Sequence, residues 1–427
     1  MSACLQGKTY PFFLMKKESL QPILNRIEVI DALRGFALAG IVLVHFVEQY
    51  VGAPTPEGAM DAVRSGTSDW VVEGLVNLLL RGKFFALFSV LFGLSFYIQM
   101  NRAHSKGVDF RARFIWRLVI LFVIGYLHHL FYRGDILTIY AILGMVLVVF
   151  HNVSNRWVLF WAGMMLLGVP RFLLYSSYGA GNFLSTVDYM SIPPEVTHYF
   201  ETLKNGSIWQ VFMLNGTEGQ VMKIYFQFSV ISRGYLTFGF FLIGMLLGRV
   251  GFFQRLDHFK PHLKKTLWAS LGLIVILIGA GILIFSGMGS ESEPSLDSWI
   301  SMVGLTIFDL FNLALTAVIL SLFLMAYQTA RGGRWLNQFS PYGRTALTNY
   351  VLQSVIGTFV FYGWGLNYLG EMRSSYAFLL SIAVVAVQML ISNWWLKKFK
   401  YGPLEWIWRV FTYKKRISLI RESHSAD

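Results

Sequence analysis

The 427 residues contain a single cysteine, Cys4, and only 14% charged side chains, where a soluble protein carries about 25%. One cysteine excludes a disulfide framework and a cysteine metal site. So little charge, beside 55% hydrophobic residues, excludes a soluble chain with one anchor. The chain also lacks a GxxxxGKS/T loop, a GxGxxG turn after a strand, a GxSxG elbow and an HExxH helix. ATP-driven pumping, Rossmann cofactors, hydrolase elbows and zincin chemistry therefore have no support. No low-complexity tract, internal repeat or second soluble domain is visible. The first 26 residues lack a small-residue cleavage site after an apolar core, which argues against a removed signal peptide.

What remains is a polytopic, all-α integral membrane protein. At about 20 apolar residues per span, ten transmembrane helices are expected near 29–50, 72–100, 114–132, 135–151, 157–176, 226–249, 266–286, 299–327, 344–363 and 375–397, packed around a polar cavity. No pair of broken helices is expected. Residues 1–26 read as a cytoplasmic tail, 27–412 as one transmembrane domain, and 413–427 as a basic cytoplasmic tail. With the N-terminus inside, 26 of the 36 Lys and Arg fall on inner segments and 6 on outer loops. That asymmetry places both termini in the cytoplasm, and it accounts for the net charge of +13 without nucleic acid. The longest outer segment, 171–225, is rich in aromatics and is expected to fold as short amphipathic helices on the membrane surface.

The segment Arg26–Tyr50 organises the rest. It carries Asp31, Arg34 and His45 in or beside an apolar run, and charge near a bilayer centre survives only when paired or facing a polar interior. Asp31 and Arg34 are three residues apart and share a helix face. Arg34 and His45 are eleven apart, which returns to nearly the same face about 16 Å along the axis. His45 is therefore expected on a cavity, with His128, His129 or Asp135 as its nearest polar partners.

Further charges lie within spans. Arg81 and Lys83 read either as snorkelling side chains at a helix start or as a phosphate or carboxylate site. His128 and His129 precede a turn bearing Asp135, which suits a helix N-terminus and equally a His–carboxylate pair. Adjacent histidines lack the i, i+4 spacing of helical zinc ligands, so no metal is expected. Arg233 and Asp309 read as an ion pair or as two cavity-facing groups.

Asp31-Ala32-Leu33-Arg34-Gly35 resembles the D-x-x-R-G start of a group of membrane acyltransferases that includes the acyltransferase-3 proteins and heparan-alpha-glucosaminide N-acetyltransferase. Lys83–Gly93, Gly134–Gly144, Gly343–Ser354 and Gly402–Arg409 are similar to segments of the bacterial YeiB family. The resemblance implies transfer of an acyl group, acetyl above all, from cytosolic acyl-CoA to a hydroxyl or amine acceptor at the outer face. Arg34 and His45 match the arginine and histidine, eleven apart, of acyltransferase-3 proteins. No histidine in 51–71 matches the luminal catalytic one of the lysosomal enzyme. On this reading His45, Arg34 and Asp31 are catalytic, while Arg34, Arg81 and Lys83 hold acyl-CoA, the one co-substrate. A transporter for a small anionic or amphipathic solute is the alternative. Expected partners are membrane lipids, acyl-CoA and an acceptor that is a saccharide, lipid or small molecule; nucleic acid is not expected, and a homodimer is left open. The implied location is the bacterial cytoplasmic membrane.

Overall fold

The computed structural model describes residues 27–52, 54–179, 194–287 and 297–421. The expected tail 1–26, part of the outer segment (180–193) and the last six residues lie outside the described residues. Apart from one isolated bridge between Phe399 and Ile420, the described elements are helical. In chain order they are α1 (Glu28–Val47), α2 (Thr67–Leu75), α3 (Lys83–His104), α4 (Arg111–Phe131), α5 (Leu137–Val149), α6 (Asn155–Leu166), α7 (Val169–Tyr178), α8 (Pro194–Asn205) and α9 (Ile208–Gly216). They continue with α10 (Glu218–Phe228), α11 (Arg233–Arg249), α12 (Leu256–Gly287), α13 (Trp299–Tyr327), α14 (Ala330–Leu336), α15 (Ser340–Arg344), α16 (Ala346–Phe361), α17 (Ser374–Lys398) and α18 (Pro403–Tyr413).

Six stretches are long and apolar enough to cross a membrane: α1, Thr67–His104, α4, Leu256–Ile284 of α12, α13 and α17. The pairs α6/α7 and α10/α11 raise this to eight if each is one span, and Leu137–Asn152 and α16 are shorter apolar helices. The protein is thus an all-helical, multi-pass membrane protein, and each of the ten expected segments falls on one of these elements. The expectation of unbroken helices is overturned. The two pairs bend by 53° and 59°, at Gly168 with φ +73 and at Ser232 with φ +63. The stretch 72–100 is interrupted as well, by a π turn at Val76–Leu80 and by Gly82 with φ +86.

Helix α1 is the axis: 72% of its apolar window is buried, against α3, α15, α16 and α17. It meets α15 backbone to backbone. A methyl group added at Gly343 would strike the carbonyl of Asp31, and one at Gly35 the carbonyl of Phe339. Helix α11 lies as closely on α3, where Gly244 faces the Val90 carbonyl and Gly93 the Phe241 carbonyl; small residues allow such approach between membrane helices. At the periphery, α12 packs chiefly on α13, and only 11% of its apolar stretch is buried.

The four segments shared with YeiB-like chains touch one another. Ser89 and Tyr140 share a hydrogen bond of 2.6 Å. Glu405 of α18 accepts from the backbone N–H of Leu347 (2.7 Å) and Thr348 (3.2 Å) and from the Thr348 hydroxyl (2.6 Å), so it caps α16 from another helix. Burial raises the Glu405 carboxyl above its ordinary range, and those donors pull it partly back.

Candidate functional site

Between α1, α3, α10, α11, α13 and the turn 132–136 lies a cavity of about 720 Å³. His45, Glu48, Arg81, Asp135, Arg171, Lys223, Arg233, Asp309 and Asn312 are among its lining residues. Ionisable groups therefore surround a space that several apolar helices have hollowed out together.

His45 stands in its wall, in the last turn of α1. Its ring lies edge-on to Tyr50 and Tyr132, with centroids 5.6 and 5.1 Å away. Its hydrogen-bond partner is Gln353 of α16, whose Nε2 donates to Nδ1 at 3.4 Å; the expected histidine or Asp135 partner is not the one made. The Gln353 amide is fixed by the Tyr50 hydroxyl, which donates to Oε1. A neutral ring accepting at Nδ1 carries its proton on Nε2.

Asp135 is the most heavily bonded carboxylate in the site. Its oxygens accept from Leu137 and Thr138 N–H (both 3.1 Å), the Thr138 hydroxyl (2.9 Å) and His128 Nδ1 (2.8 Å). From the residue before the N-cap, Ile136, it holds the first N–H groups of α5, and it partners a histidine at once. His128 is buried, and its Nε2 has no hydrogen-bond partner among the described residues. His129 points elsewhere. Its Nε2 donates to the Asn215 carbonyl at 2.8 Å, and its Nδ1 accepts from Lys223 Nζ at 3.0 Å. Lys223 also donates to the Thr138 hydroxyl and lies 3.8 Å from Asp135. Among the described residues no three His, Cys, Asp or Glu are placed to hold a metal ion.

At the other end of the cavity the expected Arg233–Asp309 pair is not formed. Asp309 bonds Arg171 instead, a residue assigned above to an outer loop. Arg171 also donates to the carbonyls of Val230 (2.7 Å) and Ile231 (3.2 Å), groups that the α10/α11 break frees. Arg81 pairs with Glu48 at 2.8 Å. Lys83 is buried behind the wall, its Nζ donating to the Asn77 carbonyl at 3.0 Å, and does not line the cavity.

Arg34 does not line it either. It meets Asp31 at 3.3 Å and Ser95 Oγ at 3.0 Å, toward the end of α1 where Arg117 lies 3.6 Å over the Trp408 ring. Arg409 and Arg34 are among the charges around Arg117. Phe84 lines the cavity, and its ring packs on that of Phe36 of α1 at 5.1 Å.

Residues 247–415 match the family described as "Protein of unknown function (DUF418)". Over 412 residues the chain is 30% identical to "Uncharacterized protein YxaH" of Bacillus subtilis (strain 168), covering 92% of this chain and 96% of that one. The chain belongs to the DUF418 family. Another relative is "Uncharacterized protein YeiB" of Escherichia coli (strain K12), 26% identical over 418 residues, 92% of this chain and 97% of that protein. The DUF418 match spans Gly343–Ser354 and Gly402–Arg409, hence Gln353 and the Glu405 cap, while His45, Asp135 and Arg233 fall before it. The full-length likeness to YxaH and YeiB extends the relationship across the cavity.

Glu48, Arg171, Lys223 and Gln353 were missed by sequence reasoning. Lys223 had a usable signal: a lysine within the apolar stretch Val221–Phe226.

Proposed function

We propose that this DUF418 protein is a membrane acyltransferase, moving an acyl group from cytosolic acyl-CoA to a hydroxyl or amine acceptor in the cavity. The observation that carries the reading is the layout of α1. Its first turns hold Arg34 within a basic group that includes Arg117, and its last turn holds His45 in the cavity wall. Arginines suit the phosphates of CoA. On the reading that both termini lie on the cytoplasmic side of the bacterial cytoplasmic membrane, the donor meets Arg34 and the acceptor meets His45.

Acyl transfer breaks the thioester C–S bond and forms a C–O or C–N bond; the acceptor loses a proton and the CoA thiolate gains one. His45, with its proton on Nε2, is set to donate to the acyl carbonyl oxygen as it becomes negative. The histidine equipped to take a proton is His128, whose Nδ1–H is held by Asp135 and whose Nε2 keeps its lone pair. It stands behind Tyr350, with ring centroids 5.0 Å apart, so the proton reaches it through a hydroxyl or water.

The test is acetyl-CoA consumption, read as released thiol, in membranes carrying the chain or its His45→Leu variant, which has no donor. The expected result is consumption above control membranes, lowered about 100-fold or more by His45→Leu in protein that still inserts and melts normally. Full activity in that variant removes His45 from the mechanism. A second reading, transport of an anionic solute, is favoured by the two bent helix pairs, whose breaks lie beside the cavity as in transporters built on broken helices. Uptake or efflux without acetyl-CoA consumption would select it.

A further inference from the structure

The deep part of the cavity holds three guanidinium groups and two carboxylates. Arg81 is matched by Glu48 and Arg171 by Asp309. The Arg233 guanidinium makes no hydrogen bond or ion pair among the described residues, and lies 3.7 Å over the Phe85 ring. The carboxylates nearest it in charge, Asp309 and Glu48, are the two already engaged. Lys83 adds a fourth cation behind the wall. A cation held inside an apolar helix bundle without a partner is strongly disfavoured, so this end of the cavity carries at least one positive charge too many.

Two further observations point to what supplies the balance. Arg233 is the first residue of α11, a 17-residue helix that restarts after the break at Ser232, so the positive end of its dipole opens at the same place. Asn312 is 5% exposed and bounds the same recess as Arg233 and Asp309. Its Nδ2 donates to the Phe308 carbonyl at 2.9 Å, while its Oδ1 has no partner. An amide oxygen fixed this way accepts from a hydroxyl and repels an acid oxygen. Phe226 and Phe308 line the cavity and are themselves 45% and 55% exposed, so an apolar portion of a ligand can leave along them.

We infer that Arg233 binds the phosphate group of a ligand whose neighbouring hydroxyl donates to Asn312. This rests on reading the cavity as the acceptor site, and it assigns the acceptor to the hydroxyl-bearing acids. A lipid head group and a free solute share this chemistry at Arg233, and the probes distinguish them.

The experiment needs no acyl-CoA, so failure of acyl transfer leaves its outcome intact. The full chain, purified in an uncharged detergent, is titrated by thermal shift with dioctanoyl phosphatidylglycerol, glycerol 3-phosphate and the uncharged dioctanoylglycerol. A saturable rise in melting temperature is expected with at least one phosphate probe and none with dioctanoylglycerol. A response to phosphatidylglycerol alone identifies a lipid head group, and a response to glycerol 3-phosphate a free anion. Arg233→Gln should weaken binding about tenfold or more. Asn312→Asp places a carboxylate in the recess and should do the same, which keeps the test open if Arg233→Gln fails to fold. An equal shift from dioctanoylglycerol, no shift from either phosphate, or undiminished binding in Asn312→Asp overturns the inference.

Discussion

Asp135 shows how much one side chain can be asked to do. It starts α5, orients His128 and faces Lys223. Asp135→Asn replaces an acceptor-only group by one with two donors, which must oppose a backbone N–H, the Thr138 hydroxyl or His128. We expect a loss of about 3 kcal/mol, measured as a lowered melting temperature of the purified chain; unchanged stability would mean the network is not built around the carboxylate. The Asp135 turn was legible where its partners, His128, Leu137 and Thr138, lie within seven residues; Lys223, far along the chain, was not. Likewise the three-residue spacing of Asp31 and Arg34 announced their contact. Arg171–Asp309 and His45–Gln353 span 138 and 308 residues. Periodicity says which face a residue takes, and is silent about the helix that face will meet.

The helices themselves were legible where they are long and straight, because the length rule and the charge count agree. The breaks were not. Gly168 offers a signal for the α6/α7 bend, but Ser229-Val230-Ile231-Ser232 contains neither Gly nor Pro. That turn is held from outside by Arg171, through the Val230 and Ile231 carbonyls, and tertiary support of this kind leaves no local trace. The crossing of α1 and α15 makes a sharper prediction. Gly343→Ala drives a methyl group into the Asp31 carbonyl and the Gly35 nitrogen, backbone atoms that cannot rotate away. A loss of about 2–3 kcal/mol is expected, read as reduced melting temperature. Because Asp31 holds Arg34, weaker acyl-CoA binding should accompany it. Normal stability in Gly343→Ala would show that the two helices have room to separate.

At the scale of the whole molecule, the proposed reaction depends on which end of α1 faces the cytosol. In a Cys4→Ser background, Ser177→Cys and Ser418→Cys report on opposite sides. A membrane-impermeant maleimide applied to intact cells should label the first and spare the second, as the distribution of Lys and Arg requires. The reverse labelling would put acyl-CoA at the wrong end of α1 and end the enzymatic reading. One feature of the periphery bears on how a ligand enters. Helix α13 forms one cavity wall through Leu305, Phe308, Asp309 and Asn312, and among the described residues α12 stands behind it, largely bare toward lipid. The N-terminal half of that wall is a door whose latch is Arg171, bonded to both Asp309 and Thr306; its hinge is the C-terminal half, where Phe323 packs on Phe36 of α1. Swinging the door outward displaces lipid tails, breaks the two Arg171 bonds and loosens the contact of α13 with α3. Asp309→Asn should therefore quicken maleimide labelling of a Phe308→Cys background, and an unchanged rate would mean the hinge is fixed elsewhere.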